Sequence, residues 1–292
     1  MNAVLVIDKP AGMTSHDVVN RVRRMVGQKS VGHLGTLDPS ATGVLPIVLG
    51  NLTRLAQFYT RSEKDYQGVI RFGFETDTYD AEGEPTSVAQ SVIVDLEELR
   101  RSAASFHGHI RQVPPPFSAK KIAGVPAYKL ARRKKVLDLN PVEVDIKHFE
   151  IIAVNGDSAE FCAQVSSGTY MRSLAHDLGH KLGCGAHLKQ LRRTRVAEFR
   201  IEDAHSLETL GDAVRQGTVE AVVVHPRNLL PQFPCVTATD GLVALIRQGR
   251  SINLPDYSKA AKVKVFEGQR DLIAVANRVA GTLFHPGIVF AT

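Results

Sequence analysis

Between Gly32 and Gly43 the chain reads Gly-His-Leu-Gly-Thr-Leu-Asp-Pro-Ser-Ala-Thr-Gly, a run too rich in glycine and proline for a regular element. Its carboxylate, Asp38, precedes Pro39, which biases it toward an extended backbone. Glycines on both sides allow a second backbone or a substrate to approach closely. Loops on a rigid scaffold concentrate catalytic side chains, so Asp38 is a candidate catalytic carboxylate. Asp-Pro also initiates turns, and spacing alone leaves that role open.

A second constellation is Ser167-Gly168-Thr169-Tyr170-Met171-Arg172. It opens a helical pattern in which Met171, Leu174, Ala175, Leu178 and Leu182 share one face. Tyr170 and Arg172 then fall near its first turn, among free backbone N–H groups. A cation is the disfavoured charge there. Unless Arg172 is simply exposed, an acidic group should offset it, either a protein carboxylate or a phosphate.

Further along, His176, His180, Cys184 and His187 follow one another at spacings of four, four and three. Gly183 should end the helix before Cys184, and the spacing fits no standard zinc pattern, so solvated histidines and no metal are expected. The chain also lacks a phosphate-binding Gly-x-x-x-x-Gly-Lys-Ser/Thr loop, a Gly-x-Gly-x-x-Gly turn and a Gly-x-Ser-x-Gly elbow. Nucleotide hydrolysis, dinucleotide redox chemistry and common serine-hydrolase chemistry lose their usual support.

The elements that must position these residues read as a mixture. Val4 to Ile7, Val44 to Leu49, Tyr66 to Phe74, Val142 to Ile146 and Phe161 to Val165 are strand-like. A helix capped by Thr14 or Ser15 carries Val18, Val19, Val22, Met25 and Val26 at helical spacing, and Leu52 to Tyr59 also looks helical. Pro114-Pro115-Pro116 and the basic stretch after it suggest a protruding insertion. Leu229-Leu230-Pro231-Gln232-Phe233-Pro234 reads as a linker. After it come a short helix, Gly241 to Arg247, and strands at Val263 to Phe266, Leu272 to Ala276 and Ile288 to Phe290, a small β-rich domain.

A length of 292 residues accommodates one large domain and a small one, and 43% hydrophobic residues is ordinary for a packed globular chain. No uncharged apolar run approaches the roughly 18 residues of a membrane span, and the N-terminus is too short in apolar residues for a secretory signal. Three scattered cysteines suggest no disulfide framework. The expected setting is soluble, reducing and cytoplasmic.

The net charge of +6 conceals strongly sided segments. Phe117 to Lys135 holds seven basic residues and no acid, Arg21 to Lys29 four and none, and Gly185 to Arg200 five against Glu198. Phe74 to Leu99 holds eight acids and no base. Each basic cluster could be a solvated face, but three together point to a polyanion, RNA or DNA.

The stretch Gly32 to Pro46 closely resembles the bacterial tRNA pseudouridine synthase B family. So do Val6-Ile7-Asp8-Lys9-Pro10-Ala11-Gly12-Met13-Thr14-Ser15, Lys64-Asp65-Tyr66, Val113-Pro114-Pro115-Pro116-Phe117-Ser118-Ala119, Ser167 to Leu174 and Leu191-Arg192-Arg193-Thr194, all in family order. The resemblance spans about residues 1 to 230. The tail is similar, more loosely, to a PUA-type RNA-binding domain.

The resemblance implies an α+β fold: a pseudouridine-synthase core (1–230) with a mixed, largely antiparallel sheet flanked by helices, a thumb-like insertion (114–139), and a small C-terminal PUA-like β-barrel (235–292). It implies isomerisation of the T-loop uridine of tRNA, nucleotide 55, to pseudouridine, with the base flipped out of the RNA. Asp38 matches the family's catalytic carboxylate, whether it attacks the sugar, attacks the base or removes a sugar proton. Tyr66 matches the tyrosine that stacks on the base, Tyr170 a second active-site tyrosine, and Arg172 the arginine that pairs with the aspartate. His33, Leu191 and Lys9 match residues that hold the rearranged loop, wall the pocket and support the catalytic loop. Charge adds Lys120, Lys121, Arg132, Arg133, Arg192 and Arg193 as RNA contacts, with Arg192 to Arg195 expected on a turn beside the pocket and Glu75 to Glu98 away from RNA.

Net isomerisation calls for no cofactor and no metal. The expected partner is tRNA, through its T-arm and, by the tail, its acceptor end, with no membrane and no obligate protein partner. A non-catalytic tRNA-binding or folding chaperone, and a guide-RNA-dependent synthase needing protein partners, are the alternative readings. A glycosidase would want a second carboxylate about 5–10 Å from Asp38, and the motifs around Asp38 place none there.

Overall fold

A computed structural model describes residues 1–118 and 139–290, with the backbone of 121–122 and 125–126. Lys120, Arg132, Arg133 and the Lys121 side chain therefore lie outside the described residues, as does most of the expected thumb.

The main sheet has nine strands. Its path runs β1 (Ala3–Lys9), β3 (Thr42–Leu49), β10 (Ala186–Val196), β4 (Lys64–Phe72), β9 (Ser158–Val165), β8 (Val142–Asn155) and β5 (Gly108–Gln112), with β2 (Val31–His33) on β3 and β11 (Phe199–Arg200) on β10. Every pairing is antiparallel except β10 with β3. A separate two-stranded pair, β6 (Lys121–Ile122) and β7 (Val125–Pro126), lies in the stretch expected as an insertion.

β1 and β3 read as nearly continuous apolar runs because both faces are covered. Ala3, Leu5 and Ile7 join a core with Val18, Val19 and Val22 of α1 (Ser15–Met25) and Leu207 and Leu210 of α5 (Leu207–Gln216). Val4 and Val6 point the other way, into a core shared with Leu52 and with Phe266 and Phe290 of the C-terminal region. This is the period-2 alternation of a strand buried on both sides. In the other half of the sheet, α3 (Leu96–Ala104) and α4 (Met171–Lys181) pack on strands β4, β8, β9 and β10, with Leu99, Leu174 and Leu178 against Ile70, Phe149 and Ile151. The expected apolar face of α4 is the buried one. Leu52 to Tyr59 is a 3-10 turn leading into the four-residue α2 (Ala56–Tyr59).

The C-terminal region forms a second, curled sheet in the order β12 (Cys235–Ala238), β14 (Lys262–Glu267), β15 (Asp271–Ala280), β16 (Leu283–Val289) and β13 (Ile252–Asn253). Val243 and Ile246 of α6 (Asp240–Arg247) close its own core with Val263, Val265 and Phe284. The α+β expectation holds.

Two local expectations change. The stretch expected as a linker is anchored at its start: Leu229 and Leu230 are buried while Pro231, Gln232 and Pro234 are exposed, and the buried Lys264 ammonium donates to the carbonyls of Arg227 and Leu229. Arg192 to Arg195 lie in central strand β10 and not on a turn. Their charges are met by partners far along the chain, which a local pattern does not register.

Candidate active site

Asp38 sits in the loop between β2 and β3. The Ala41 N–H donates to the Asp38 carbonyl at 3.2 Å, closing a turn with Pro39 at its second position, where the fixed φ of proline is favourable. The loop is tied down from three sides. Ser15, buried at the start of α1, donates to the Leu37 carbonyl and accepts from the Leu37 N–H, at 3.1 and 2.8 Å. The Gly12 N–H and the Lys9 ammonium both donate to the Pro39 carbonyl, and Lys9 donates also to that of Pro10. Thr14 and Asp17 form a capping box on α1, so the helix end that carries Ser15 is itself held.

Arg193 supplies the remaining support. Its side chain has 0% exposure and donates to the carbonyls of Val44, Thr36 and Gly35 at 2.8, 3.1 and 2.9 Å. It pairs in register with Tyr66 on β4 and with Gly43 on β3, so three strands meet at one level. At Gly43, φ is +101°, and a Cβ would lie 2.2 Å from the Arg193 carbonyl oxygen. Only glycine permits that approach.

Arg172 enters from the first turn of α4. Tyr170, the N-cap, lacks a side-chain cap of its own. Instead Gln112, buried on β5, accepts from the Tyr170 N–H at 2.8 Å and donates to its carbonyl at 3.0 Å. The guanidinium then forks onto Asp38, with Nε to Oδ2 at 2.9 Å and Nη2 to Oδ1 at 3.1 Å. Two parallel N–H donors on two carboxylate oxygens suit an ionised carboxylate. The remaining donors reach Asp80 Oδ2 at 3.3 Å and the carbonyls of Thr78 and Phe117. Arg172 is 7% exposed, and Asp38 is the more open partner.

A cleft of about 810 Å³ opens at this pair, lined by Asp38, Arg172, Asp80, Leu191 and Arg192 among others. Tyr66, 7% exposed, packs in the core with Leu37 and Ala41, behind the cleft lining. Burial raises its hydroxyl above the ordinary tyrosine range against the charge and hydrogen bond of Arg193, and Asp38 adds a smaller upward push. Burial likewise raises Tyr170, with Asp38 again adding to it, so both tyrosines feel the carboxylate. His33 is half-buried; desolvation first, then the Arg193 charge, push its imidazole toward the neutral form. Desolvation pulls Lys9 down from 10.5 to about 8 against the attraction of Asp38. Lys64 falls to about 8 for the same reason, with the Arg193 charge adding to it.

The structure therefore brings together Asp38, Arg172, Tyr66, Tyr170, Lys9 and Leu191 around one loop and cleft. It corrects Arg193, expected as an RNA contact: a fully buried guanidinium occupied by three carbonyls offers no charge to a phosphate. Arg192 does line the cleft but is paired with Asp8 at 2.7 Å, and Arg195 is paired with Asp65 at 2.6 Å. The acidic segment is also corrected in part, because Asp80 reaches the site. It supplies the second carboxylate that the motifs around Asp38 did not place, and the same arginine holds it. Asp80, Gln112 and Ser15 were not singled out from sequence. The unopposed charge of Arg172 called for acidic company, and Asp80 is half of the answer.

A carboxylate forked by an arginine stands in a cleft on a mostly antiparallel sheet, and Arg21, Arg24 and Lys29 are exposed. Residues 23–171 match the TruB family pseudouridylate synthase N-terminal domain, and residues 172–230 match the tRNA pseudouridylate synthase B C-terminal domain. The chain belongs to the TruB family of pseudouridylate synthases. It is 47% identical over 292 residues to tRNA pseudouridine synthase B of Solibacter usitatus (strain Ellin6076), covering 99% of this chain and 100% of that one. It is 39% identical to tRNA pseudouridine synthase B of Aquifex aeolicus (strain VF5), covering 97% and 98%. Among solved structures it is similar in fold to a Cbf5-Nop10-Gar1 complex chain (TM-score 0.74, 24% identity, 99% of this chain and 85% of that chain). An H/ACA RNP bound to a substrate RNA gives a TM-score of 0.73 at 23% identity, with the same coverage. The two family models divide at the start of α4, beside Arg172.

Proposed function

We propose that this chain isomerises the T-loop uridine at nucleotide 55 of tRNA to pseudouridine, with Asp38 as its catalytic carboxylate. Family membership and full-length relatives named tRNA pseudouridine synthase B support the reaction and the RNA class. The observation that carries the residue assignment is the Arg172 fork on Asp38 at the mouth of the cleft.

The reaction breaks the bond from sugar C1′ to N1, turns the uracil and joins C5 to the same carbon. The C5 proton leaves and N1 gains one, so atoms and electrons balance without a co-reactant. Asp38 supplies the anion that starts this exchange, and Arg172 keeps it aligned. Tyr170, whose hydroxyl burial raises above the ordinary tyrosine range, relays the C5 proton, accepting it only as it passes its own on. Leu191 walls the pocket, and Tyr66, buried behind the cleft lining, stacks on the base only once RNA binding opens the cleft to its ring. Flipping the uridine out of folded RNA costs a few kcal/mol, and base stacking on an aromatic ring returns roughly 1–3 kcal/mol. Lys9 and His33 support the loop. Lys120, Lys121, Arg132 and Arg133 supply phosphate contacts from a thumb spanning 114–139, and Arg192, already paired with Asp8, a lesser one at the cleft. The 235–292 region is a PUA-like module that meets the acceptor end.

The test is incubation of the full-length, tag-free chain with an unmodified tRNA transcript and no other protein, followed by mapping of pseudouridine. One modified position, in the T-loop, is expected. No product without added protein or guide RNA would favour the guide-dependent reading, and binding without any product would favour the chaperone. Either result would overturn the proposal.

A further inference from the structure

We infer that Glu75, His176 and His180 form a site for one borderline transition-metal ion of the zinc class, clipping the loop that carries Asp80 onto α4. The three side chains bring one ligand atom each to within 4.8 Å of the others. His176 and His180 are one helical turn apart on α4, and both turn Nε2 to the same carboxylate, at 3.7 Å from Oε2 and 2.8 Å from Oε1 of Glu75. Tetrahedral ligands with zinc bonds of about 2.0–2.1 Å are separated by ~3.3 Å, a value that those two distances bracket.

The surroundings are those of a built site. Asp177 Oδ1 faces His176 Nδ1 at 3.4 Å. A carboxylate can only accept, so it places the proton of a neutral ring on Nδ1 and turns the Nε2 lone pair toward Glu75. Nε2 stands 3.7 Å from Glu75 Oε2, beyond hydrogen-bond reach, and so is open to ligate a cation. The Tyr79 ring stacks on His176 with centroids 3.8 Å apart and planes 17° apart, fixing the imidazole orientation. Glu75 is held through its own backbone by Thr86 and Ser87. Gly185 leaves room for it, since a Cβ there would lie 2.9 Å from Glu75 Cγ.

His180 is 58% exposed on its side chain, which leaves a fourth position to water. Cys184 and His187, which continue the histidine spacing in the sequence, take no part. Two imidazoles and one carboxylate suit zinc, with cobalt as a spectroscopic substitute. Because the Glu75 loop continues to Thr78 and Asp80, both bonded to Arg172, the bound ion would brace the far side of the Arg172 network.

Titration calorimetry of zinc chloride into chelator-stripped, tag-free full-length protein tests this, with a cobalt absorption spectrum as the second readout. One equivalent should bind, weakened at least tenfold in His180→Ala, which is exposed and should fold normally, and in Glu75→Gln. Cobalt should give the intense visible bands of a four-coordinate ion. His148→Ala serves as the control, since His148, Glu150 and Cys162 form the other such cluster among the described residues; it should leave binding unchanged. Absence of saturable binding would overturn the inference. So would binding that survives His180→Ala and Glu75→Gln but is lost in His148→Ala.

Discussion

Arg172 serves two carboxylates and two carbonyls with one planar group, and that division of donors is what a lysine cannot reproduce. Arg172→Lys should keep a positive charge but lose the fork on Asp38. Charge-assisted hydrogen bonds contribute about 1.5–3 kcal/mol each. A loss of about 2–3 kcal/mol in transition-state stabilisation is therefore expected, roughly 30- to 150-fold in kcat/KM, with RNA affinity little changed. Steady-state kinetics on a tRNA transcript checks the split. Lys9 yields a prediction of the opposite kind, on stability. Its ammonium titrates near 8 in the folded chain against 10.5 ordinarily. Between those values the unfolded chain binds more protons, so stability rises with pH. The difference in unfolding free energy between the native protein and Lys9→Met should therefore shift in favour of the native protein from pH 7.5 to 9.5. Urea denaturation at the two values measures it; Lys64, present in both proteins, cancels.

At the level of elements, the site is the meeting point of β3, β4 and β10 with the first turn of α4. At Gly43 two backbones come close together. A Cβ there meets backbone atoms of Arg193 and no flexible side chain, so Gly43→Ala must push β3 from β10. It should cost about 2–3 kcal/mol of stability and lower turnover beyond the unfolded fraction, read by urea unfolding beside initial rates. The same elements explain what the sequence discloses and what it hides. The face of α4, the strands of the sheet and the Asp38 loop follow from periodicity and from glycine and proline. β10 does not: three arginines in a central strand read as a basic surface. Their partners, Asp8, Asp65 and the carbonyls of Gly35, Thr36 and Val44, are brought in by pairing with distant strands. Asp80 is hidden likewise, one acid among eight in its segment and distinguished only by the fold.

Across the whole molecule, the C-terminal sheet is both a candidate RNA-docking module and part of the wall of the catalytic core. Phe266, Ile288 and Phe290 share a buried cluster with Val4, Val48 and Leu52, and Arg54 and Asn51 donate to the carbonyls of Val289 and Phe290. A chain ending at Pro234 should lose roughly 5 °C or more in thermal midpoint. Below that midpoint its KM for tRNA should rise more than its kcat falls. Equal loss in both would contradict a docking role. Charge also acts at this scale. With Arg192 and Arg195 paired and Arg193 buried, the exposed part of the +6 charge lies mainly elsewhere, Arg21, Arg24 and Lys29 included.

In the proposed reaction the Asp38 carboxylate performs the chemistry and the rest of the site positions it. Single-turnover reaction of Asp38→Asn on a T-arm RNA, with binding measured on the same RNA, tests this most directly, since asparagine keeps the size and one acceptor facing Arg172. Binding within a few-fold of the native protein and no detectable pseudouridine is the expected result. Pseudouridine formed at a rate within tenfold of the native protein would contradict it.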